Sequence, residues 1–118
     1  ILGDDIDACR QPVKGNLALY IGGMGARDKN FYNDYCKKLG FEDAAVKIQD
    51  LYLSGKKDEA MAAVPDELVD AVHLCGPAEH IKDRLQAWKK AGEQGHVSSM
   101  LIGAGQPEAL ELIASEML

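Results

Sequence analysis

Residues 22–27, with the sequence GGMGAR, have the composition of an anion-binding turn. Backbone amides near Gly23 and Gly25, together with the guanidinium group of Arg27, could bind a carboxylate or phosphate group of a cofactor or substrate. The glycine spacing matches neither the P-loop nor the dinucleotide-binding motif, because Asp28 stands where the latter needs its third glycine. A turn between two helices is the favoured interpretation, and the cofactor contact is the alternative.

A second glycine segment, formed by Gly103, Ala104 and Gly105, lies between an apolar run and an amphipathic helix. If the run is a barrel strand, these amides lie at the barrel's active face, where loops after the last two strands often hold phosphate. The glycines could equally serve only a tight turn, and both interpretations stay open. Gly76 and Pro77 follow the preceding apolar run in the same way, and there a turn is favoured.

Four side chains with metal-binding chemistry are close in the sequence: His73, Cys75, Glu79 and His80. Their spacing matches none of the common zinc patterns, and no second pair of ligands accompanies them, so we predict no metal site. A nucleophile pair of Cys75 and His80 lacks an identifiable third group to orient it. We therefore predict no catalytic residue in this sequence.

Helix signals fill the first part of the chain, residues 1–71. Asp28 can cap a helix that Gly40 ends, and Gly55 ends the next one. Pro12 lacks an amide hydrogen, so it is expected to kink the first helix or split it in two. We therefore predict only helices in residues 1–71.

Residues 72–118 have a different pattern, in which two apolar runs of strand length alternate with amphipathic helices. This order of strand, helix, strand and helix makes the two strands parallel. A parallel sheet is covered on both faces and needs more than two strands. Because the sequence also begins at Ile1 instead of a methionine, we expect it to be the last part of a larger α/β barrel.

Two motifs carry a resemblance to a known family: YIGGMGARDKNFYND, residues 20–34, and GPAEHIKDRLQAW, residues 76–88. With them, nearly the whole chain resembles the C-terminal part of the luciferase-like monooxygenase superfamily, in its branch of deazaflavin (coenzyme F420) dependent oxidoreductases. The resemblance implies a TIM barrel with insertions, whose last two strands would be Val72–Cys75 and Val97–Ile102.

The resemblance also implies the reaction class, which is hydride transfer between a small-molecule substrate and coenzyme F420 or FMN. No residue here matches the family's acid, base or ring-contacting positions, so no catalytic role is carried over. We expect these 118 residues alone to bind no cofactor and to be inactive.

Composition excludes several other classes of protein. The net charge of -6 disfavours a nucleic-acid partner, and no apolar run approaches the roughly 18 residues of a membrane span. The odd number of cysteines, three, and the absence of a secretory signal predict reduced thiols and a cytoplasmic location.

A rival hypothesis is a free-standing, mainly helical oligomerisation module without catalysis. Under either hypothesis the apolar surface and open strand edges must be covered, by the missing N-terminal barrel part or by self-association. A homo-oligomer is therefore expected.

Overall fold

The computed structural model describes residues 1–118, and these form seven α-helices and one π-helical turn. The α-helices are α1 (Ile6–Ala18), α2 (Phe31–Lys38), α3 (Glu42–Leu53), α4 (Lys57–Ala62), α5 (Asp66–Val72), α6 (Ala78–Glu93) and α7 (Pro107–Met117). The π-helical turn, Leu19–Gly23, follows α1 directly. No helix is long and apolar enough to cross a membrane.

The chain divides into two compact units, which we describe separately. The helical unit is Gln11–His73, and the terminal unit combines Ile1–Arg10 with Leu74–Leu118. The division predicted from the sequence, residues 1–71 and 72–118, stays a prediction; in the structure Ile1–Arg10 belong to the terminal unit.

Two local sequence features, a capping aspartate and an internal proline, bear on the first helix, α1. The side chain of Asp5 caps α1 by accepting hydrogen bonds from the amides of Asp7 (3.1 Å) and Ala8 (3.2 Å). Pro12 lies inside α1 and does not split it. Pro12 has no amide hydrogen to donate to the carbonyl of Ala8. Because Pro12 and Ala8 are both exposed, water can hydrogen-bond to that carbonyl instead.

In the helical unit, the start of α2 differs from the sequence prediction. Asn30 is its N-cap, because the Asn30 side chain accepts a hydrogen bond from the amide of Asn33 at 3.0 Å. Asp28 instead adopts a left-handed backbone conformation with φ of 64°, in a tight turn closed by the amide of Lys29 and the carbonyl of Ala26. A left-handed residue cannot serve as a helix N-cap, which needs an extended backbone.

The predicted ends of α2 and α3 are confirmed. Gly40 and Gly55 follow these helices with φ of 97° and 81°, the left-handed conformation that glycine adopts without penalty. The two turns let α3 pack against the π-helical turn, α2 and α4. The largest fully buried apolar side chains of this unit are Ile48, Val64, Leu68 and Val69.

The terminal unit is built on the contact between α6 and α7. Ile81 and Leu85 of α6 and Ile113 of α7 form its buried core. Apolar residues outside the helices, among them Leu2, Leu74 and Met100, pack against these three side chains. The unit is therefore held by burial of apolar surface more than by backbone pairing.

Neither predicted strand forms a ladder in the structure. Residues 73–75 are extended, and the backbone pairing here is a single parallel bridge between Leu2 and Gly76. Residues 97–102 form no strand, and the Leu101 side chain is 95% exposed. A parallel strand needs a neighbour to pair with its amides and carbonyls, and residues 97–102 take part in no β-bridge.

Candidate functional site

The glycines at positions 22–25 are closely packed in the helical unit. A Cβ atom on Gly22 would lie 2.5 Å from Cβ of Tyr52, and one on Gly23 would lie 2.4 Å from Cε1 of the same ring. A Cβ atom on Gly25 would lie 2.3 Å from the carbonyl oxygen of Lys29. No side chain fits at these distances, so the glycines have a packing role whether or not they also contact a ligand.

Arg27 forms an ion pair with Asp50 of α3. Each of these side chains is 54% exposed, so the pair lies at the surface of the helical unit. Solvent screening leaves an exposed pair of this kind worth less than about 1 kcal/mol. The guanidinium group is therefore accessible, and a competing anion could replace Asp50 at small cost.

Two buried asparagines connect this turn to the helices around it. The amide nitrogen of Asn30 donates to the carbonyls of Tyr20 (3.0 Å) and Ile21 (3.1 Å). The amide nitrogen of Asn33 donates to the carbonyls of Ile21 (3.1 Å) and Ala45 (2.9 Å). Through these bonds the two side chains connect the π-helical turn, the start of α2 and α3.

Asn30 and Asn33 were not predicted as functional or structural residues from the sequence. A signal was present, because Asn30 and Asn33 are spaced as an N-cap residue and the amide that it binds. The hydrogen bonds that the side-chain amides donate, however, depend on where the fold places the carbonyls of Ile21 and Ala45. No local sequence pattern encodes those positions.

Gly103 and Gly105, in the terminal unit, lie in open space, unlike the closely packed glycines at positions 22–25. Ala104 lies between them. A Cβ atom on Gly103 or Gly105 would meet nothing within 4 Å. The backbone amides of all three residues make no hydrogen bond within the chain. They directly precede Gln106, the N-cap of α7, and Pro107, the first residue of that helix, where proline is favoured. Free amides at the positive end of an 11-residue helix suit an anionic ligand.

The four residues with metal-binding chemistry are not arranged as a metal centre. No group of three or more His, Cys, Asp or Glu side chains in the chain could hold a metal ion. Cys75 is buried and forms no disulfide, and Glu79 is exposed and pairs with Lys82 at 3.2 Å. Partial burial lowers the pKa of His73 below its ordinary value, which favours the neutral imidazole.

A shallow cleft of about 340 Å³ lies between α6, residues 97–100 and the end of α7. Trp88, Val97, Met100 and Met117 supply its apolar lining, and Lys89 lies at one side. Lys89 is paired with Glu116 at 3.6 Å. Trp88 is the only tryptophan of the chain and is 40% exposed, so its fluorescence reports on this cleft.

Comparison with known proteins gives two matches. Residues 1–95 match the family described as luciferase-like monooxygenase. The chain is also 36% identical over 115 residues to a Mycobacterium tuberculosis protein whose name provisionally marks it as a coenzyme F420-dependent oxidoreductase. That alignment covers 98% of this chain but 32% of the relative, so the chain spans about a third of the relative's length. No solved structure gives a significant match. The chain belongs to the luciferase-like monooxygenase family.

Proposed function

We propose that this chain is part of a coenzyme F420-dependent oxidoreductase that transfers hydride to or from a small-molecule substrate. The observation that carries the proposal is the 36% identity, sustained over nearly the whole chain, to a relative named for that cofactor. By this proposal the 118 residues are the C-terminal segment of a longer protein, and they are inactive alone.

Membership of the family implies a TIM-barrel fold. We propose that the segments around residues 74–76 and 97–102 become the last two barrel strands in the longer protein. The backbone around Gly76 supports this, because it is already paired in parallel with Leu2, as barrel strands are. The amides and carbonyls of residues 97–102 would then gain the neighbours that they lack here.

The free amides of Gly103, Ala104 and Gly105 fit an anionic group of the cofactor. They would lie after the last strand and before a helix, the position where TIM barrels commonly bind phosphate. Coenzyme F420 would supply a deazaflavin ring that accepts or releases hydride. The contribution of these residues would be to fix the anionic part of the cofactor, so that the ring is held in one position.

Arg27, with the backbone near Gly23 and Gly25, is the second candidate contact. Its guanidinium group would exchange the exposed partner Asp50 for an anion of the cofactor or substrate. The close packing of the glycines against Tyr52 and Lys29 explains their presence without a ligand, so the observations favour the Gly103–Gly105 segment.

Identification of the bound cofactor tests the proposal directly. The protein encoded by the gene that includes these residues would be purified from a host that makes both deazaflavin and FMN, and its ligand would be released by denaturation. Mass spectrometry should find coenzyme F420. Recovery of FMN would move the protein to the flavin-dependent branch, and recovery of neither from a folded protein would contradict a cofactor-dependent function.

An oligomerisation module without catalysis is the second candidate, and exposed aromatic residues on α2 favour it. Phe31 is 74% exposed, lies parallel to Tyr35 at 6.3 Å between ring centroids, and meets Tyr32 edge to face. Surface of this kind often marks an interface, and we expect a homo-oligomer. Sedimentation of the 118-residue chain would show self-association, which replacement of Phe31 by Ala would weaken if α2 forms the interface.

A cytoplasmic location completes the proposal. Its support is that the three buried cysteines form no disulfide, as is usual for proteins of a reducing compartment.

A further inference from the structure

Residues 22–29 form a loop whose two ends are held together inside the helical unit. The buried side chain of Asn30, at the end of the loop, donates through Nδ2 to the carbonyls of Tyr20 (3.0 Å) and Ile21 (3.1 Å), which precede the loop. Its Oδ1 atom accepts the amide of Asn33 at 3.0 Å and so caps α2. One side chain therefore closes the loop and begins the next helix.

Close packing joins the loop to itself at a second point. A Cβ atom on Gly25 would lie 2.3 Å from the carbonyl oxygen of Lys29 and 3.2 Å from Cα of Asn30. Glycine permits this close approach of two backbone segments because it has no side chain. Together with the hydrogen bonds of Asn30, the contact restricts the path of the backbone between its two ends.

The closed loop presents groups that bind anions. The amides of residues 25–28 make no backbone hydrogen bond, and residues 26–28 are exposed. Arg27 and Lys29 carry positive charge and Asp28 carries negative charge, which leaves the loop with a net charge of +1 in a chain whose net charge is -6. Four consecutive amides and a guanidinium group thus lie together on a short, cationic segment.

We propose that this loop is a preorganised binding site for an oxyanion, either a carboxylate or a phosphate group, and that Asn30 is its positioning residue. Arg27 binds the anion in place of Asp50, and the amides of residues 25–28 donate to it. Closure by Asn30 holds these donors in place beforehand, so less conformational entropy is lost on binding. The inference rests on the proposed function only for the source of the anion, which is the cofactor or the substrate.

A titration of the 118-residue chain with inorganic phosphate, followed by NMR of the backbone amides, tests the site. Saturable shifts should occur at residues 25–28, and Arg27→Ala should weaken the affinity about tenfold, because a charged donor is lost. Chloride at matched ionic strength is the control for screening. Shifts confined to other residues, or equal affinities of the parent and Arg27→Ala, would mean an adventitious ion only and would overturn the site.

Competition between Asp50 and the anion gives a second test. Asp50→Asn should tighten phosphate binding about twofold to fivefold, because the exposed ion pair with Arg27 no longer has to be broken. Asp43→Asn is the matched control, since it removes the same charge from α3 seven residues earlier, about 10 Å along the helix. Equal effects of the two variants would contradict the exchange of Asp50 for the anion.

Asn30→Ser separates loop closure from helix capping. Serine is also a good N-cap, but it lacks the amide group that donates to Tyr20 and Ile21. Phosphate affinity should fall about threefold to tenfold, because the loop must now be ordered on binding. NMR order parameters of residues 25–28 should fall without phosphate and recover at saturation.

A folded Asn30→Ser chain with the phosphate affinity of the parent would overturn the positioning role. If Asn30→Ser does not fold, the same comparison is made with Asn30→Asp, because aspartate caps a helix as well as asparagine does and has no amide group.

A titration of the protein encoded by the whole gene with oxidised coenzyme F420 identifies the source of the anion. Weaker F420 binding by Arg27→Ala than by the parent assigns the loop to the cofactor, and equal F420 binding assigns it to the substrate. A protein that binds phosphate at the loop but does not bind F420 contradicts the proposed function and leaves the anion site standing, so the two failures are distinguishable.

Discussion

At the scale of single residues, the buried side chain of Asn33 connects two elements of the helical unit. Its amide group is buried and donates to two carbonyls in different elements, Ile21 in the π-helical turn and Ala45 in α3. A buried carbonyl that loses its partner keeps the cost of dehydration without compensation.

Asn33→Ala is predicted to lower the free energy of unfolding by about 1–3 kcal/mol, the net contribution of the two buried hydrogen bonds that are lost. Asn16→Ala is the control, because Asn16 is exposed in α1 and alanine is the better helix former. Urea unfolding followed by circular dichroism measures both. Midpoints that agree between the two variants would contradict the role given to Asn33.

The two glycine segments give a second prediction at this scale. Gly25→Ala is expected to destabilise the chain by about 1–3 kcal/mol, because its Cβ would overlap the backbone carbonyl of Lys29 and force the turn to move. Gly103→Ala should change stability by less than about 0.5 kcal/mol, since its Cβ meets nothing. Thermal unfolding compares the two. Equal effects would contradict the distinction between a packed turn and an open loop.

At the scale of elements, the sequence predicted helices better than strands. Helix ends are encoded by the chain itself, as Asp5, Gly40, Gly55 and Pro107 show, because a cap needs only its own backbone or a side chain a few residues away. Asp28 was predicted as a cap wrongly, since Asn30 two residues later had the same chemistry and the required backbone conformation.

Strands depend on partners elsewhere in the chain, and this explains why residues 97–102 were predicted as a strand that the structure does not form. Their apolar pattern suits a buried strand, but pairing requires a neighbouring edge. Only the backbone around Gly76 found such an edge, at Ile1–Gly3. The side chain of Gln106 exchanges two hydrogen bonds with the backbone of Leu2, 104 positions away. Local sequence patterns could not predict this contact either.

The contact between α6 and α7 gives a prediction at the element scale. Leu85→Ala is expected to cost about 2–5 kcal/mol, because Leu85 is fully buried between Ile81 and Ile113 and its loss leaves a cavity. Leu110→Ala is the matched control, since the Leu110 side chain on α7 is 43% exposed.

Urea unfolding monitored by Trp88 fluorescence suits this comparison, because Trp88 lies on α6 and is the only tryptophan. The midpoint for Leu85→Ala should fall well below that for Leu110→Ala. A smaller effect at Leu85 than at Leu110 would show that the core is wrongly assigned.

At the scale of the whole molecule, family membership carried more of the functional inference than any single residue. The motifs YIGGMGARDKNFYND and GPAEHIKDRLQAW led to a family that the comparisons confirm. The candidate cofactor contacts stay predictions, because a phosphate site in a barrel is assembled from several strand ends and loops. The amides of Gly103–Gly105, which make no backbone hydrogen bond, are the candidate part of such a site in this chain.

The most direct test of the central claim is a titration of the protein encoded by the whole gene with oxidised coenzyme F420, repeated with FMN and with Gly105→Asp. We predict saturable F420 binding in about the micromolar range, near -8 kcal/mol, and weaker binding of FMN. The carboxylate of Gly105→Asp should weaken F420 binding about tenfold by repelling an anion, while Gly95→Asp, at another exposed turn of the terminal unit, should not. No binding of F420 by the folded protein, or tighter binding of FMN, would contradict the proposed function, and equal affinities of the two variants would contradict the placement of the anion at Gly103–Gly105.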